Sequence, residues 1–365
     1  MSSSERPEGK YRVAVVGGAG TWGRHYVRAY AEHPDCEIVA LIDRAKDRRQ
    51  AFADRYGIDT VCDDVEDLLS ETIPDIVSAI VPVHQSLPVL RACVEKGVKV
   101  VSCEKPIAVS LAEADELVQV CRDHGSAFGC GTAHYEVPHL LHTARWVQAG
   151  HIGKLNSAAI PAGLPNEVSG AGCVQLTMLR ALTGMEVEWV EGWTLPPAVG
   201  WLPEAFATDP DIDRPAYGRL GLSGGIVCEI SQPRQVACRV SVTGETGQVW
   251  LGQPQSVHIE GTGAEAAPVY PEFLKNDEGE IFTNVVERLM RAFDTGEEAQ
   301  CNGHDYRQAL EIAIALKLSA ERNHERIHLP LEDRSLRILP HPYRQHGGDV
   351  AGWQSIGYSG PPQAT

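Results

Sequence analysis

A doubly wound α/β domain followed by a second α/β domain with an open, mostly antiparallel sheet is the fold class the sequence predicts. Three observations carry that prediction. An apolar, β-branched run, Val13–Val16, breaks into glycines and passes at once into a helical pattern (Tyr26, Val27, Ala29, Tyr30). Apolar runs of strand length then alternate with helical patterns to about residue 133, as in a parallel sheet. Beyond Pro138 several strand-like runs follow one another with few helices between them, which suggests antiparallel pairing.

The first element is the most informative. In Gly17-Gly18-Ala19-Gly20-Thr21-Trp22-Gly23-Arg24, residues Gly18, Gly20 and Gly23 fit GxGxxG. The first glycine allows a tight turn, the second lets a pyrophosphate approach the backbone, and the third packs helix on strand. The helix N-terminus offers free N–H donors to phosphates. Alone the pattern is weak, because a glycine-rich turn need bind nothing. A second strand, Glu37–Ile42, ends in Asp43, where the dinucleotide fold places a carboxylate for the adenosine ribose hydroxyls. Strand, turn, helix, strand and acid together predict a dinucleotide site that uses Gly18, Gly20, Thr21, Trp22, Gly23 and Asp43. Asp43 would repel a 2′-phosphate, which favours NAD; Arg44 beside it could tolerate one, which leaves NADP open.

The later elements follow in order. A charged helix spans about Lys46–Tyr56, and a short strand at Val61-Cys62 leads to the apolar stretch Val65–Leu69. The buried strand Ile76–Val81 stops at Pro82, so Val81, Pro82 and His84 fall at a strand end and are assigned to the cofactor site. Helix Pro88–Lys96 closes on Gly97, and strand Val98–Cys103 ends in Glu104-Lys105-Pro106. Ser110 with Glu113 forms a capping box for the next helix, and strand Ala127–Gly131 follows. In the second half, helices are expected at Leu140–Val147, Val174–Leu182, Glu280–Phe293 and Tyr306–Glu321. Strands are expected at Val187–Trp193, Leu220–Ile230, Val236–Thr243, Gly247–Leu251 and Val257–Glu260. Pro196–Tyr217 is too long for a simple turn. The expected division is a frayed tail 1–10, a Rossmann domain 11–135, a substrate-binding and oligomerisation domain 136–335, and an irregular tail 336–365.

Composition bounds the function. The 365 residues suffice for two domains. A net charge of −17, from 49 acids against 32 bases, makes nucleic acid and anionic membrane poor partners. No apolar run approaches membrane-spanning length, and the polar start lacks a signal peptide's apolar segment, so a cytoplasmic location is expected. Ten scattered cysteines without a CxxC pair read as small buried hydrophobes in a reducing compartment, not as disulfides or a zinc site. His139 and His142, three apart on a helix near His134 and Glu136, invite a metal reading, but core or surface histidines are the preferred one. Asp209–Asp213 lacks the glycine and glutamate of a calcium loop. No metal is expected.

With Glu104-Lys105-Pro106 in place, the chain resembles the glucose–fructose oxidoreductase / inositol dehydrogenase (Gfo/Idh/MocA) family over about residues 11–330. The glycine turn, this tripeptide and Ala149-Gly150-His151-Ile152-Gly153-Lys154-Leu155 carry the likeness. The resemblance implies a nicotinamide cofactor, a sugar, cyclitol or related polyol as substrate, and a homodimer or homotetramer. Lys105 lies at the C-terminal edge of a parallel strand, where ligands bind, and a lysine there can polarise a carbinol or carbonyl oxygen and move its proton. The bland alternative is a lysine paired with Glu104.

The resemblance also departs from the family's pattern. Aligned on Leu179–Gly184, the family's aspartate falls on Gly170, its catalytic histidine on Val174 and a further acid on Thr177. None of these titrates near neutral pH. His134 and Tyr135, at the end of the last Rossmann strand beside Glu136, are the expected catalytic substitutes. Gln175 and Thr177 could hydrogen-bond a polyol, as could Asp213 and Tyr217. Three functions follow. The leading one is an NAD(P)-dependent dehydrogenase or reductase at a secondary alcohol or ketone. The others are a redox-neutral enzyme that retains NAD (elimination, epimerisation or glycoside cleavage through a transient ketone) and a non-catalytic ligand sensor.

Overall fold

The computed structural model describes residues 9–131, 136–197 and 209–364. Its first sheet comprises β1 (Tyr11–Val16), β2 (Cys36–Ile42), β3 (Val61–Cys62), β4 (Ile76–Ala79), β5 (Val100–Cys103) and β6 (Ala127–Cys130). The spatial order is β3-β2-β1-β4-β5-β6, and all neighbours run parallel. Helices α1 (Gly23–Glu32), α2 (Lys46–Tyr56), α3 (Val65–Glu71), α4 (Ser86–Glu95) and α5 (Leu111–Asp123) make the crossovers. β4, β5 and β6 are buried throughout, which is why they read as unbroken apolar runs. The predicted capping box forms: the Glu113 amide donates to Ser110 Oγ, and the Ser110 amide donates to Glu113 Oε2, each at 3.3 Å. Strand order reverses between β1 and β4, which opens a crevice at their C-terminal ends.

The second sheet has nine strands. They are β7 (Leu155–Ile160), β8 (Val187–Thr194), β9 (Ala216–Leu222), β10 (Ile226–Ile230), β11 (Cys238–Gly244), β12 (Gly247–Gly252), β13 (Val257–Glu260), β14 (Ala267–Val269) and β15 (Ile327–His328). Their order is β14-β13-β12-β11-β7-β10-β9-β8-β15, antiparallel except for the parallel pair β7–β10. The single run expected over 220–230 is a hairpin instead, because Gly224 and Gly225 turn the chain at positive φ (90° and 81°). Cross-strand register sorts the two faces. Val190, Leu220, Cys228, Ala158, Val242, Val249 and His258 form one continuous row, all buried. Helices α7 (Cys173–Thr183) and α9 (Gly303–Glu321) cover that face, and α6 (Leu140–Gln148) packs on α7. The other face bears no helix of this chain among the described residues.

Two segments of the second half return to the first sheet. Helix α8 (Ile281–Thr295) packs on α1, and its Phe282, Val285, Val286, Leu289 and Met290 share one core with Tyr11, Val13 and Tyr26. A cut at residue 135 therefore separates the sheets but not the packing. The C-terminal region is also more ordered than its lack of periodicity suggests. It forms α10 (Pro342–His346), α11 (Gly348–Ala351) and a 3-10 turn at Trp353–Ile356, which lie against the first domain. Among the described residues no helix is long and apolar enough to cross a membrane. All ten cysteines are free, eight of them buried.

Candidate functional site

The β1–α1 turn divides labour among its glycines differently from the sequence expectation. Gly17, not Gly18, adopts positive φ (77°), and a Cβ on it would sit 2.1 Å from the Ile80 carbonyl oxygen. Gly18 packs under the turn, where a Cβ would meet Leu41 Cδ1 at 2.4 Å. Gly23 allows the close approach of helix and strand: a Cβ there would lie 2.1 Å from the Gly17 oxygen. Only Gly20 has room on its open side, its nearest contact being 3.3 Å away. The amides of Thr21, Trp22 and Gly23 donate to no backbone acceptor among the described residues. Free amides at a helix start, under a turn without side chains, suit a diphosphate.

A cavity of about 530 Å³ opens over this turn, at the C-terminal ends of the first sheet's strands. Of the residues expected at the cofactor, Gly20, Trp22, Asp43, Arg44, Val81, Pro82, His84, Glu104 and Lys105 line it, whereas Gly18, Thr21 and Gly23 do not. Asp43 accepts the amides of Ala19 (3.0 Å) and Ala45 (2.9 Å), so its carboxylate is pinned at the end of β2. Asp63, Asp64 and Glu66 line the same end. Size, glycine turn, free amides and strand-end acid together fit a dinucleotide.

Lys105 lies two residues beyond the end of β5 and is 8% exposed. Its ammonium sits 3.0 Å from Glu136 Oε1 and 5.5 Å from the centre of the Trp22 ring. Burial acts to lower its pKa, but the charges of Glu136 and then Glu104 outweigh this and hold it above the usual lysine value. It is thus an ammonium at neutral pH. Glu104 is not its ion-pair partner, contrary to the bland expectation: Glu104 accepts the Tyr26 hydroxyl at 2.6 Å and ties β5 to α1. His134 and Tyr135 lie outside the described residues.

The other expected substrate contacts do not line this cavity. Thr177 is buried, and its hydroxyl donates to the Val174 carbonyl at 3.1 Å, a bond within its own helix. Asp213 is buried and accepts the amides of Val168 (2.9 Å) and Ser169 (2.6 Å); it borders a separate pocket of about 240 Å³. Tyr217 stacks on Trp193 of the neighbouring strand, ring centres 5.6 Å apart. Gln175 is buried in α7, does not line the large cavity, and its Oε1 has no hydrogen-bond partner among the described residues. Val174 packs in the core, and the space above Gly170 is filled by Glu167 and Arg344.

The rest of the cavity wall comes from the C-terminal region, through Tyr343, Arg344, His346, Gly347, Asp349 and Trp353 among others. Arg48 pairs with Asp349 at 2.7 Å and lies 5.5 Å from the Trp353 ring centre. Nothing in the sequence pattern marked these residues, since each reaches the wall from a segment without periodicity.

Comparison with known proteins agrees with this geometry. Residues 11–132 match the Gfo/Idh/MocA profile, described as an oxidoreductase family with an NAD-binding Rossmann fold. The chain is 26% identical over 337 residues to the uncharacterized oxidoreductase YrbE of Bacillus subtilis, covering 85% of this chain and 94% of that one. It is 25% identical over 317 residues to the inositol 2-dehydrogenase of Rhizobium meliloti, with 82% and 93% covered. An inositol dehydrogenase homologue from Azotobacter vinelandii, solved with NADH and myo-inositol, superposes with a TM-score of 0.72 at 18% identity. The match covers 90% of this chain and 100% of that one, a likeness of fold.

Proposed function

As residues 11–132 match the Gfo/Idh/MocA oxidoreductases, with their NAD-binding Rossmann fold, we propose that the chain acts at a secondary alcohol or ketone of a sugar, cyclitol or related polyol. NAD, when bound, supplies the hydride acceptor or donor. The observation that carries this reading is Lys105, an almost buried ammonium on the wall of the dinucleotide cavity, held by Glu136. In the reductive direction it donates a proton to the developing alkoxide. In the oxidative direction the relay runs backwards: Lys105 takes the substrate hydroxyl proton as it passes one of its own to Glu136, in contact with it, so the lysine stays charged and stabilises the alkoxide. Trp22 lies beside the ammonium and limits water at that end. The printed activity of the Rhizobium meliloti relative, inositol 2-dehydrogenase, supports a cyclitol.

The test is a polyol and sugar screen that follows NADH absorbance, repeated with Lys105→Ala. The variant is expected to bind NAD within a few-fold of wild type and to lose about 10²–10⁴ in turnover, the range of a positioned acid–base group. Normal turnover by the variant would make Lys105 structural. A redox-neutral cycle on retained NAD is the second reading, favoured by the C-terminal wall of the cavity. It predicts that NAD copurifies with the protein while no polyol yields net NADH.

A further inference from the structure

We infer that Arg344, delivered by the C-terminal segment, is a positioning residue for Lys105. Three contacts carry the argument. Glu167 has no exposed surface; its Oε2 accepts the His341 amide at 2.6 Å, and its Oε1 accepts Arg344 Nε. This pair occupies the space over Gly170, where a Cβ would lie 2.1 Å from Glu167 Oε1 and 2.5 Å from Arg344 Nε. With Nε fixed, the guanidinium plane aims Nη1 at the Lys105 carbonyl oxygen, 3.1 Å away.

Lys105 is thereby held at two points. Its main chain is held by Arg344, 239 positions later in the chain, and its ammonium by Glu136. A guanidinium can serve two acceptors at once because its donors form a rigid fork; an ammonium on a flexible stem cannot reproduce that geometry. Charge is matched as well, Lys105 with Glu136 and the part-buried Arg344 with Glu167, so neither cation is left uncompensated. The C-terminal segment is then part of the reacting end and not a trailing tail. Glycine at 170 has the same origin, since any side chain there would displace the Glu167–Arg344 pair.

The inference rests on the proposed proton role of Lys105, so the experiment needs a readout besides turnover. Arg344→Ala would strand the buried Glu167 carboxylate and threaten the fold. Arg344→Lys is the sharper variant: it keeps the charge opposite Glu167 and removes the second bond. Three quantities are measured on the full chain: melting temperature, labelling of Lys105 by trinitrobenzenesulfonate located by peptide mass, and kcat on any substrate found in the screen. The melting temperature is expected to stay near wild type and Lys105 to label several-fold faster. The kcat is expected to fall about 10²-fold, as for a catalytic group displaced by an ångström, with NAD affinity nearly unchanged. If Arg344 only neutralises Glu167, labelling and kcat of Arg344→Lys match wild type, and the inference is overturned. Should Arg344→Lys not fold, the double variant Glu167→Gln/Arg344→Gln removes both charges and is read by the same criteria. Should the wild type turn over no polyol at all, the proposed function fails, and the labelling comparison still decides the role of Arg344.

Discussion

Asp43 commits one carboxylate oxygen to the Ala19 amide and the other to the Ala45 amide, so its charge cannot swing away from the outer end of the cavity. Asp63, Asp64, Glu66 and Asp349 line the same cavity, against Arg44 and Arg48, and Arg48 is already engaged by Asp349. A 2′-phosphate entering here meets a fixed negative field. NAD is therefore expected to bind more tightly than NADP by at least about tenfold, the ratio that roughly 1.4 kcal/mol supplies. Asp43→Ala should narrow that gap mainly by improving NADP binding. Titration of both cofactors by tryptophan fluorescence checks this, and tighter NADP binding to the wild type would contradict it. Asp43 was legible from its distance to Gly23 along the chain, because the fold fixes that spacing. The role of Gly17 was not legible, since a run of two glycines does not say which one takes the positive φ.

Among the elements, the wide turn Val168–Gly172 ahead of α7 depends on one carboxyl group. Asp213 accepts the two amides that open this turn, from a loop more than forty residues later. Burial, then the charge of Glu167, push the Asp213 carboxyl up from 3.8 to about 7, against the pull of the two amides. The folded protein thus holds this proton more firmly than the unfolded chain does. The resulting stabilisation is complete below about pH 4 and is lost as pH rises towards 7. Asp213→Asn, which has no such proton, should melt with a flatter dependence on pH across that window. Parallel melting curves for variant and wild type would remove Asp213 from the pH dependence. Neither this turn nor the Glu167–Arg344 pair was readable beforehand, because each joins residues far apart in the chain. The first sheet was readable because its central strands are buried on both sides, and α5 because it carries a capping box. β7 escaped notice: Leu155-Asn156-Ser157-Ala158-Ala159-Ile160 is weakly apolar and is a strand because β10 and β11 flank it.

For the whole molecule, the uncovered face of the second sheet sets the remaining question. Glu191, Arg219, Glu229, Ala159, Ser241, Trp250 and Val257 form a continuous cross-strand row opposite the buried one. Arg219 and Glu229 pair across it at 3.1 Å, while Trp250 stays 44% exposed near the far edge. The row is more mixed than a domain core, so burial against water alone is a modest drive. Its central register is nonetheless unbroken along this row. A homodimer or homotetramer packed through this face is expected, with Trp250 as its apolar anchor, since a tryptophan buried in an interface is a common source of binding energy. Light scattering at micromolar concentration should report two or four chains for the wild type and fewer for Trp250→Glu. The monomeric variant should melt below the wild type and lose the wild type's dependence of melting temperature on protein concentration, because association stabilises the folded chain by mass action. A wild-type monomer under these conditions would contradict the assembly. An oligomer untouched by Trp250→Glu would move the interface to another surface.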